Sequence, residues 1–302
     1  MKTVLIAVNP RAGASAAGQR IPELERLLGQ AGLKAEVQTD LGHFAARAAQ
    51  LQAEGRLECV VSAGGDGNAA AVINLMAPQT PVALFPLGTE NLLGRWLQQS
   101  ATPQGVCETI LAHKILNLDA ASANGRLFLL MLGAGFDATV VQRAHELRRG
   151  HINRWHYSRP IYEALRYYRF PELRLTCTLA GPGGEVVTRR VRWAFAFNLP
   201  CYAAGLPLAP QADGTDGALD LTTFERGSIW HGLRYLGSVI LRRHHSLADH
   251  ATLRVTSLRL ESDELVPYQV DGDPGGVLPV EIQVLPGRLC LLAPPRREVT
   301  SG

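Results

Sequence analysis

A strand-like run that is broken by glycine constrains this chain more than any other stretch. Residues Cys59–Met76 have the sequence CVVSAGGDGNAAAVINLM, in which a short apolar run meets the turn Gly64–Gly67. The residues after the turn are mostly good helix formers, so we expect a strand, a glycine turn and a helix. Glycine permits positive φ and close approach of a ligand, and the first helical turn offers unpaired N–H groups to an anion. This arrangement suits a polyphosphate.

Asp66, the acidic residue of this turn, restricts how a phosphate could bind. A carboxylate repels bare phosphate, so Asp66 is chemically reasonable there only with a cation such as Mg²⁺ between the two groups. The chain contains no GxxxxGK[ST] motif and therefore no P-loop lysine. Charge must then be offset by Mg²⁺, backbone N–H groups and an arginine. Arg11 and Arg95 are the first candidates, although solvated surface is the commoner role for either.

Length and composition limit the class of protein. The chain has 302 residues, enough for two domains, with 46% hydrophobic and 19% charged residues, as expected of a globular protein. A net charge of +3 does not argue for nucleic acid. The five cysteines are dispersed without a CxxC pair, which favours a reducing compartment. The N-terminal apolar run is too short for a signal peptide, and the longest run falls well short of the ~20 residues of a spanning helix. We expect a cytoplasmic protein with peripheral membrane contact only.

Strand-like and helix-like segments alternate over residues 1–119, which predicts a nucleotide-binding α/β domain with a doubly wound parallel sheet. Ligands of such sheets bind at the carboxyl ends of the strands. Asn9, Thr39, Gly64–Gly67 and Pro86–Thr89 all fall at predicted strand ends. We therefore expect these four loops to converge on one crevice.

The pattern changes near Asp119 to short strand-like runs separated by glycine-rich turns. It predicts a second domain over residues 120–286 that is mainly antiparallel β. Two helical segments, Val140–Phe170 and Ser228–Arg243, interrupt it. The C-terminal segment 287–302 could pack back onto the first domain.

Six motifs, taken in order, resemble the diacylglycerol kinase catalytic domain family, which includes bacterial soluble lipid kinases and sphingosine kinases. They span nearly the whole chain and are Asn9–Gly13, Gly64–Gly67, Pro86–Asn91, Gly133–Ala138, Pro210–Leu221 and Asp271–Asp273. The GGDG motif alone is not decisive because NAD kinases share it. The ordered set is specific.

The resemblance implies an ATP-dependent kinase that phosphorylates the hydroxyl of a lipid alcohol such as diacylglycerol, with its active site in an interdomain cleft and a β-rich lipid domain. It implies that Asp271 is the general base and that Asp66 and Asp273 organise Mg²⁺ through water. Asp213, Asp216 and Ala218 match the segment that carries a separate structural metal. The positions that match nucleotide contacts are Asn9, Pro10, Arg11, Gly13, Thr39, Gly64, Gly65, Asp66, Gly67, Asn68, Gly88, Thr89 and Asn91.

The chain departs from the family pattern at several polar positions. Asn68 replaces the usual threonine, Ala70 and Ala71 replace an Asn-Glu pair, Leu92 replaces an Asp, and Asp273 replaces a Glu. Two carboxylates that could hold metal or nucleotide are missing, which bears on metal geometry and turnover. Two alternatives therefore stay open: an NAD kinase-like enzyme, and a catalytically weakened lipid- or nucleotide-binding protein.

Arginine and aromatic residues alternate over Arg143–Arg174. Such a run is usually a solvated helix face, but this composition also suits an anionic bilayer surface. We expect peripheral contact with anionic membrane. Stacking on RNA would use similar residues, but no nucleic-acid motif accompanies them, and we expect no nucleic-acid partner. The sequence is compatible with a homodimer and does not identify the lipid.

Two further patterns have a structural interpretation. Gly133–Ala138 matches GxGxxA, but no acidic residue lies about 20 positions onward to hold a ribose, so we interpret it as a turn near the acceptor or the domain junction. His244, His245 and His250, with Asp249, could bind a metal by composition. A satisfied or solvated surface cluster is the commoner outcome for such residues.

Overall fold

The computed structural model describes residues 1–8, 14–147, 158–202 and 205–295. The chain divides into two compact units. The first comprises Met1–Leu118 and the segment that begins at Gly287, and the second comprises Asp119–Pro286.

The first unit alternates strands with helices in the predicted manner. The elements are β1 (Thr3–Val8), α1 (Ala14–Gln30), β2 (Lys34–Gln38), α2 (Leu41–Ala53), β3 (Leu57–Gly64), α3 (Asp66–Leu75), β4 (Pro81–Pro86), α4 (Leu92–Trp96) and α5 (Pro103–Ala112). The strands form a parallel sheet in the order β4-β3-β1-β2, and Cys290 and Leu291 of the chain's last strand pair with Pro81 and Val82 of β4, also in parallel.

Nearly continuous apolar strands explain why this sheet is parallel and buried. β1 buries every residue from Thr3 to Ala7, and β3 buries every residue from Cys59 to Gly64. Strands of this kind need cover on both faces, which the crossover helices provide. One core cluster joins strands to helices through Val4, Ile6, Leu24, Leu28, Val61, Phe85, Val106 and Ile110.

The second unit is mainly antiparallel. The elements are β5 (Ile115–Ala123, which enters the unit at Asp119), β6 (Arg126–Phe128), β7 (Met131–Ala134), α6 (Phe136–Glu146), α7 (Ser158–Tyr167), β8 (Leu173–Leu179), β9 (Val186–Val191), β10 (Trp193–Phe197), β11 (Leu219–Phe224), α8 (Ile229–Ile240), β12 (His250–Glu261), β13 (Pro267–Val270), β14 (Asp273–Val277) and β15 (Val280–Leu292, which leaves the unit after Pro286). The strands follow the order β14-β13-β7-β10-β11-β12-β15, with β8 added to β12, β9 to β8 and β6 to β5.

The core of this unit is built from alternating strand residues, among them Phe128, Leu132, Leu221, Val255 and Val280. Together the two units confirm the predicted fold class, a parallel α/β domain followed by a mainly antiparallel β domain. No helix in the described part of the chain is both long and apolar enough to cross a bilayer.

Helix boundaries differ from the prediction where local chemistry ends a helix early. The helix expected from about Asn91 begins at Leu92 and is only five residues long. A separate helix follows, because the Thr102 side chain accepts a hydrogen bond from the Gly105 N–H and Pro103 opens the first turn. The segment expected over Val140–Phe170 forms α6 and α7, and residues 148–157 lie outside the described residues.

Glu36 on β2 binds two cationic side chains. Arg47 donates two hydrogen bonds of 2.8 Å to its carboxylate, and Lys34 donates one of 2.9 Å. These bonds, those from Arg47 foremost, lower the pKa of Glu36 to about 2 from a usual value of 4.5. The ionised carboxylate therefore stabilises the fold fully above pH 4.5, and this contribution is lost as the pH falls toward 2.

We expect Glu36→Gln to lower the free energy of unfolding by up to about 1 kcal/mol at pH 7, since the group is near the surface. The difference from wild type should shrink between pH 4.5 and pH 2, as followed by urea unfolding at several pH values. Glu23→Gln, on the exposed face of α1, is the control. A difference between Glu36→Gln and wild type that does not change with pH would contradict this account.

Candidate functional site

The register of the parallel sheet brings the predicted loops to one edge. Val8 pairs with Ala63, and Gly64 pairs with Pro86, so β1, β3 and β4 end side by side. Thr39 directly follows the neighbouring β2 and is exposed. From β1 the chain proceeds outward to β2, and from β3 it proceeds to β4 on the opposite side of the sheet. The boundary between β1 and β3 is therefore the topological switch point. Open α/β sheets bind ligands at this place.

Gly65 and Gly88 bring two predicted loops into backbone contact. A Cβ atom on Gly88 would lie 2.5 Å from the Gly65 Cα, and the Leu87 N–H donates to the Gly64 carbonyl over 3.0 Å. Gly65 does not use the positive φ that glycine permits, since its φ is −91°. Glycine is required at Gly88 because the two backbones touch, and a Cβ atom on Gly65 would make a tight contact of 3.3 Å with the Gly88 Cα.

Asn91 fixes the loop that contains Gly88. Its Oδ1 accepts a hydrogen bond of 3.0 Å from the Gly88 N–H, and its Nδ2 donates one of 2.8 Å to the Gly88 carbonyl. Asn91 has φ +49°, a conformation that asparagine tolerates better than most residues. Its side chain is thus used to shape the loop, and it leaves Thr89 exposed.

Asp66 connects the same two loops through its carboxylate. Oδ2 accepts the Leu92 N–H at 2.8 Å, and Oδ1 accepts the Leu93 N–H at 3.0 Å, so Asp66 caps the start of α4. Burial raises the pKa of Asp66, and the two N–H bonds oppose that rise. A carboxylate has about four lone-pair positions, so it can accept these bonds and still meet a hydrated cation. Its oxygens are the donor type that Mg²⁺ prefers.

Asn68 and Arg95 have local partners in the structure. Asn68 is 7% exposed, and its Nδ2 donates to Ser62 Oγ over 2.8 Å. The side chain predicted to contact nucleotide therefore braces the turn against the sheet. Arg95 lies 3.7 Å from Glu90 in an exposed ion pair. Of the other predicted nucleotide positions, Asn9, Pro10, Arg11 and Gly13 lie outside the described residues.

In the second unit, Asp271 is held rigidly in the turn between β13 and β14. Its carboxylate accepts three backbone hydrogen bonds, from Leu129 and Leu130 at 2.8 Å each and from Met131 at 3.0 Å. The backbone of Asp271 has φ +52°, and Gly272 follows with φ +84°. These contacts fix the direction of the predicted base.

Asp273 begins β14 in the same turn. Its Oδ2 lies 3.7 Å from a guanidinium nitrogen of Arg126, whose other terminal nitrogen donates to the Pro274 carbonyl over 3.0 Å. Arg126 therefore stabilises the negative charge of Asp273 and anchors the start of the strand.

A polar network behind this turn was not predicted from the sequence. Tyr202 Oη donates to Asp137 Oδ1 over 2.6 Å, and Gln269 Nε2 donates to Asp137 Oδ2 over 2.9 Å. Gln269 Oε1 accepts the Gly272 N–H at 2.8 Å, so the network reaches the residue next to Asp271. Burial raises the pKa of Asp137, and its two hydrogen bonds oppose that rise.

Gly133 makes room for this network. A Cβ atom there would lie 2.6 Å from Asp137 Oδ2 and 3.0 Å from Gln269 Nε2. The motif Gly133–Ala138 thus supplies both the carboxylate and the space it needs. Its glycine and aspartate were visible in the sequence, but Gln269 and Tyr202 are distant along the chain and carry no local pattern.

In the segment matched to a structural metal, the aspartates accept hydrogen bonds from residues of the same segment. Asp213 Oδ1 accepts hydrogen bonds from the Thr215 N–H and hydroxyl, and Asp216 Oδ1 accepts the Ala218 N–H. Asp216 Oδ2 forms an ion pair with Arg254. A cation at Asp216 would have to compete with this guanidinium. The metal role of Asp213, Asp216 and Ala218 stays a prediction.

We expect Asp137→Ala to disturb the Asp271 turn, because it removes the oxygens that accept hydrogen bonds from Tyr202 and Gln269. Buried donors that lose their acceptor cost about 1–3 kcal/mol, and Gln269 then holds the Gly272 N–H less firmly. The free energy of unfolding should fall by that amount, and the Gly272 amide should exchange faster in hydrogen-exchange NMR.

Asp263→Ala is the matched control, since Asp263 is exposed in the same unit. Wild-type protection of the Gly272 amide in Asp137→Ala would show that the network does not hold the turn.

Comparison with known proteins supports one family for both units. Residues 3–123 match the Diacylglycerol kinase catalytic domain, and residues 131–293 match the YegS C-terminal NAD kinase beta sandwich-like domain. A diacylglycerol kinase of Mycobacterium tuberculosis (strain ATCC 25618 / H37Rv) is 28% identical over 245 residues, which cover 78% of this chain and 77% of that protein. A diacylglycerol kinase of Bacillus subtilis (strain 168) is 23% identical over 291 residues, which cover 93% of each.

The fold is also similar to a solved structure. The crystal structure of a diacylglycerol kinase from Bacillus anthracis str. Sterne superposes with a TM-score of 0.70 at 21% identity, covering 97% of both chains. At that identity the likeness shows the fold alone. The two family matches, which follow one another along the chain, carry the assignment: this chain belongs to the family that joins a diacylglycerol kinase catalytic domain to a YegS C-terminal NAD kinase beta sandwich-like domain.

Proposed function

We propose that this protein is an ATP-dependent lipid kinase that transfers the γ-phosphate of MgATP to the hydroxyl of a lipid alcohol such as diacylglycerol. One observation carries the proposal beyond family membership. The Gly64–Gly67 and Gly88 loops touch at the carboxyl edge of a parallel sheet, and Asp66 bonds them together. This geometry suits a nucleotide polyphosphate with a cation beside it.

Phosphoryl transfer requires that donor and acceptor be aligned and that charge on the phosphoryl oxygens be offset. Asp66 and Asp273 are the carboxylates that would hold Mg²⁺ through water. When bound, Mg²⁺ supplies the positive charge that neutralises the phosphoryl oxygens. The start of α3 and the exposed Thr89 contribute backbone N–H groups and a hydroxyl on the nucleotide side.

Asp271 would accept the proton of the lipid hydroxyl. Three backbone N–H bonds hold its carboxylate in one orientation, which is what alignment with an incoming alcohol demands. It need not be a strong base, because in a loose transition state the alcohol proton leaves late. Gln269 acts as a positioning residue, since it binds the N–H of the neighbouring Gly272.

A catalytically weakened binder is the second candidate, and Leu92 and Ala71 favour it. Leu92 has no carboxylate, but its N–H still binds Asp66. The position therefore keeps its contact with the loop through the main chain. Ala70 packs in the core and Ala71 is half-buried. Neither alanine supplies an acid in place of the Asn-Glu pair. We propose that the missing acids slow turnover without abolishing transfer, which keeps the kinase as the first candidate.

The decisive experiment supplies labelled ATP and Mg²⁺ with a panel of lipid alcohols in mixed micelles, and with NAD as the acceptor of the NAD kinase alternative. We expect label in a lipid and none in NAD. Asp271→Asn should lower kcat by at least about 100-fold, as for loss of a general base, and leave ATP affinity within about threefold.

Asp263→Asn, an exposed change in the same unit, should keep full activity, and thermal unfolding should show that Asp271→Asn is folded. Full turnover by Asp271→Asn would exclude it as the base. ATP binding by wild type without transfer to any lipid would favour the weakened binder, and transfer to NAD would favour the other enzyme.

We also propose peripheral contact with anionic membrane, where such a substrate resides. α7 exposes Tyr162 and Tyr167 together with Arg159 and Arg166. This helix lies within the arginine and aromatic segment Arg143–Arg174, of which residues 148–157 are outside the described residues. Aromatic rings and arginine side chains of this kind suit the headgroup region of a bilayer.

α8 exposes a second apolar face. Trp230 is 80% exposed, and Leu233, Ile240 and Leu241 are exposed on the same helix or its last turn. The segment Ser228–Ala248 contains three arginines and no acidic residue. An amphipathic helix with these features binds the surface of anionic membranes.

Trp230→Ser should weaken binding to anionic vesicles at least threefold in a sedimentation assay, because an exposed indole is lost from the interface. Leu265→Ser is the matched control, since Leu265 is 87% exposed and lies outside both helices. Equal binding of wild type to anionic and neutral vesicles would show that charge does not contribute to membrane binding. Wild-type vesicle binding by Trp230→Ser would exclude α8 from the membrane contact.

A further inference from the structure

Three histidines gather where the chain leaves α8. His244 and His245 lie in a 3-10 turn over His244–Ser246, and His250 opens β12. One ring nitrogen from each lies within 4.8 Å of the others. The ring centroids of His244 and His245 are 3.9 Å apart, and those of His244 and His250 are 5.3 Å apart. The three rings therefore converge on one point.

Hydrogen bonding fixes the proton of His244. Its Nε2 lies 3.2 Å from the Leu208 carbonyl oxygen, which only accepts, so Nε2 carries the proton. In the neutral ring Nδ1 is then unprotonated, and it is buried without a hydrogen-bond partner among the described residues. His244 as a whole is 1% exposed. A buried polar atom without a partner is costly, and ligation of a metal would satisfy it.

This pattern is that of a metal ligand. A metal-binding histidine typically donates its other ring N–H to a carbonyl or carboxylate, which fixes the ring and its tautomer. The Leu208 carbonyl provides that contact for His244. The converging ligand atoms do not include Asp249, whose Oδ2 accepts a 2.6 Å hydrogen bond from Tyr235 and whose Oδ1 lies 3.7 Å from Arg234. The ligand set is three imidazoles.

We propose that His244, His245 and His250 form a binding site for Zn²⁺. Imidazole nitrogen suits Zn²⁺ and its first-row neighbours, whereas Mg²⁺ prefers oxygen. Three protein ligands leave the fourth tetrahedral position to water. The ring nitrogens already lie within 4.8 Å of one another, and zinc would bind them at Zn–N distances of about 2.0–2.1 Å. His245 is exposed, so its side chain has room to adjust to the ion.

The site joins the end of α8 to the start of β12 and is independent of the proposed kinase chemistry. Its occupancy should stabilise that junction, because a ligand that binds only the folded state raises stability. Zinc is expected to raise the melting temperature of the full chain, and a chelator should reverse the shift.

The test is a competition titration of the full chain with Zn²⁺ and a chromophoric chelator, in buffer that contains excess Mg²⁺. We expect one equivalent of zinc, and Co²⁺ should give the visible absorption of a tetrahedral site. His245→Asn should lower zinc affinity at least tenfold and abolish the rise in melting temperature. Because His245 is exposed, this change should not impair folding.

His43→Asn is the matched control, since His43 is an exposed histidine of the other unit. It should bind zinc as wild type does. Wild-type affinity and stoichiometry in both His245→Asn and His250→Asn would overturn the proposal, as would failure of the wild-type chain to take zinc from the chelator.

Discussion

The Asp66 carboxylate is the interaction on which the first unit's candidate site depends. It binds the N–H groups of Leu92 and Leu93, so the turn after β3 and the helix after β4 are held together by one side chain. The contact between Gly65 and Gly88 allows that approach, because any side chain at Gly88 would collide with the facing backbone. The acid that the sequence assigns to Mg²⁺ thus also builds the loop around it. A change at Asp66 affects both roles together.

The second unit fixes its acid in a different way. Asp271 is oriented by three backbone N–H groups, and the following Gly272 is tied through Gln269 to Asp137. Gly133 supplies the space, which links a glycine motif on β7 to the turn that carries the predicted base. In both units, the glycines of the motifs serve close packing around a carboxylate.

Much of the fold could be predicted from the sequence, because periodicity and glycine turns report local structure. The apolar runs of β1 and β3 and the change in pattern near Asp119 were sufficient for the fold class. The candidate site was harder to predict, because a motif identifies positions in the chain and does not determine the direction of their side chains. Asn68 points into the sheet, and Tyr202 and Gln269 meet Asp137 only after folding. The His244 tautomer depends on the Leu208 carbonyl, which no local pattern predicts.

The most direct test of the account is the Mg²⁺ dependence of ATP affinity, measured by calorimetric titration of wild type and Asp66→Asn at low and saturating Mg²⁺. Wild type should bind ATP at least tenfold more tightly at saturating Mg²⁺. Asp66→Asn should lose that gain, since a neutral amide lacks the charge that attracts the cation, and thermal unfolding should show that the variant is folded. An Asp66→Asn protein that keeps the full Mg²⁺-dependent gain in ATP affinity would contradict the central role given to this carboxylate.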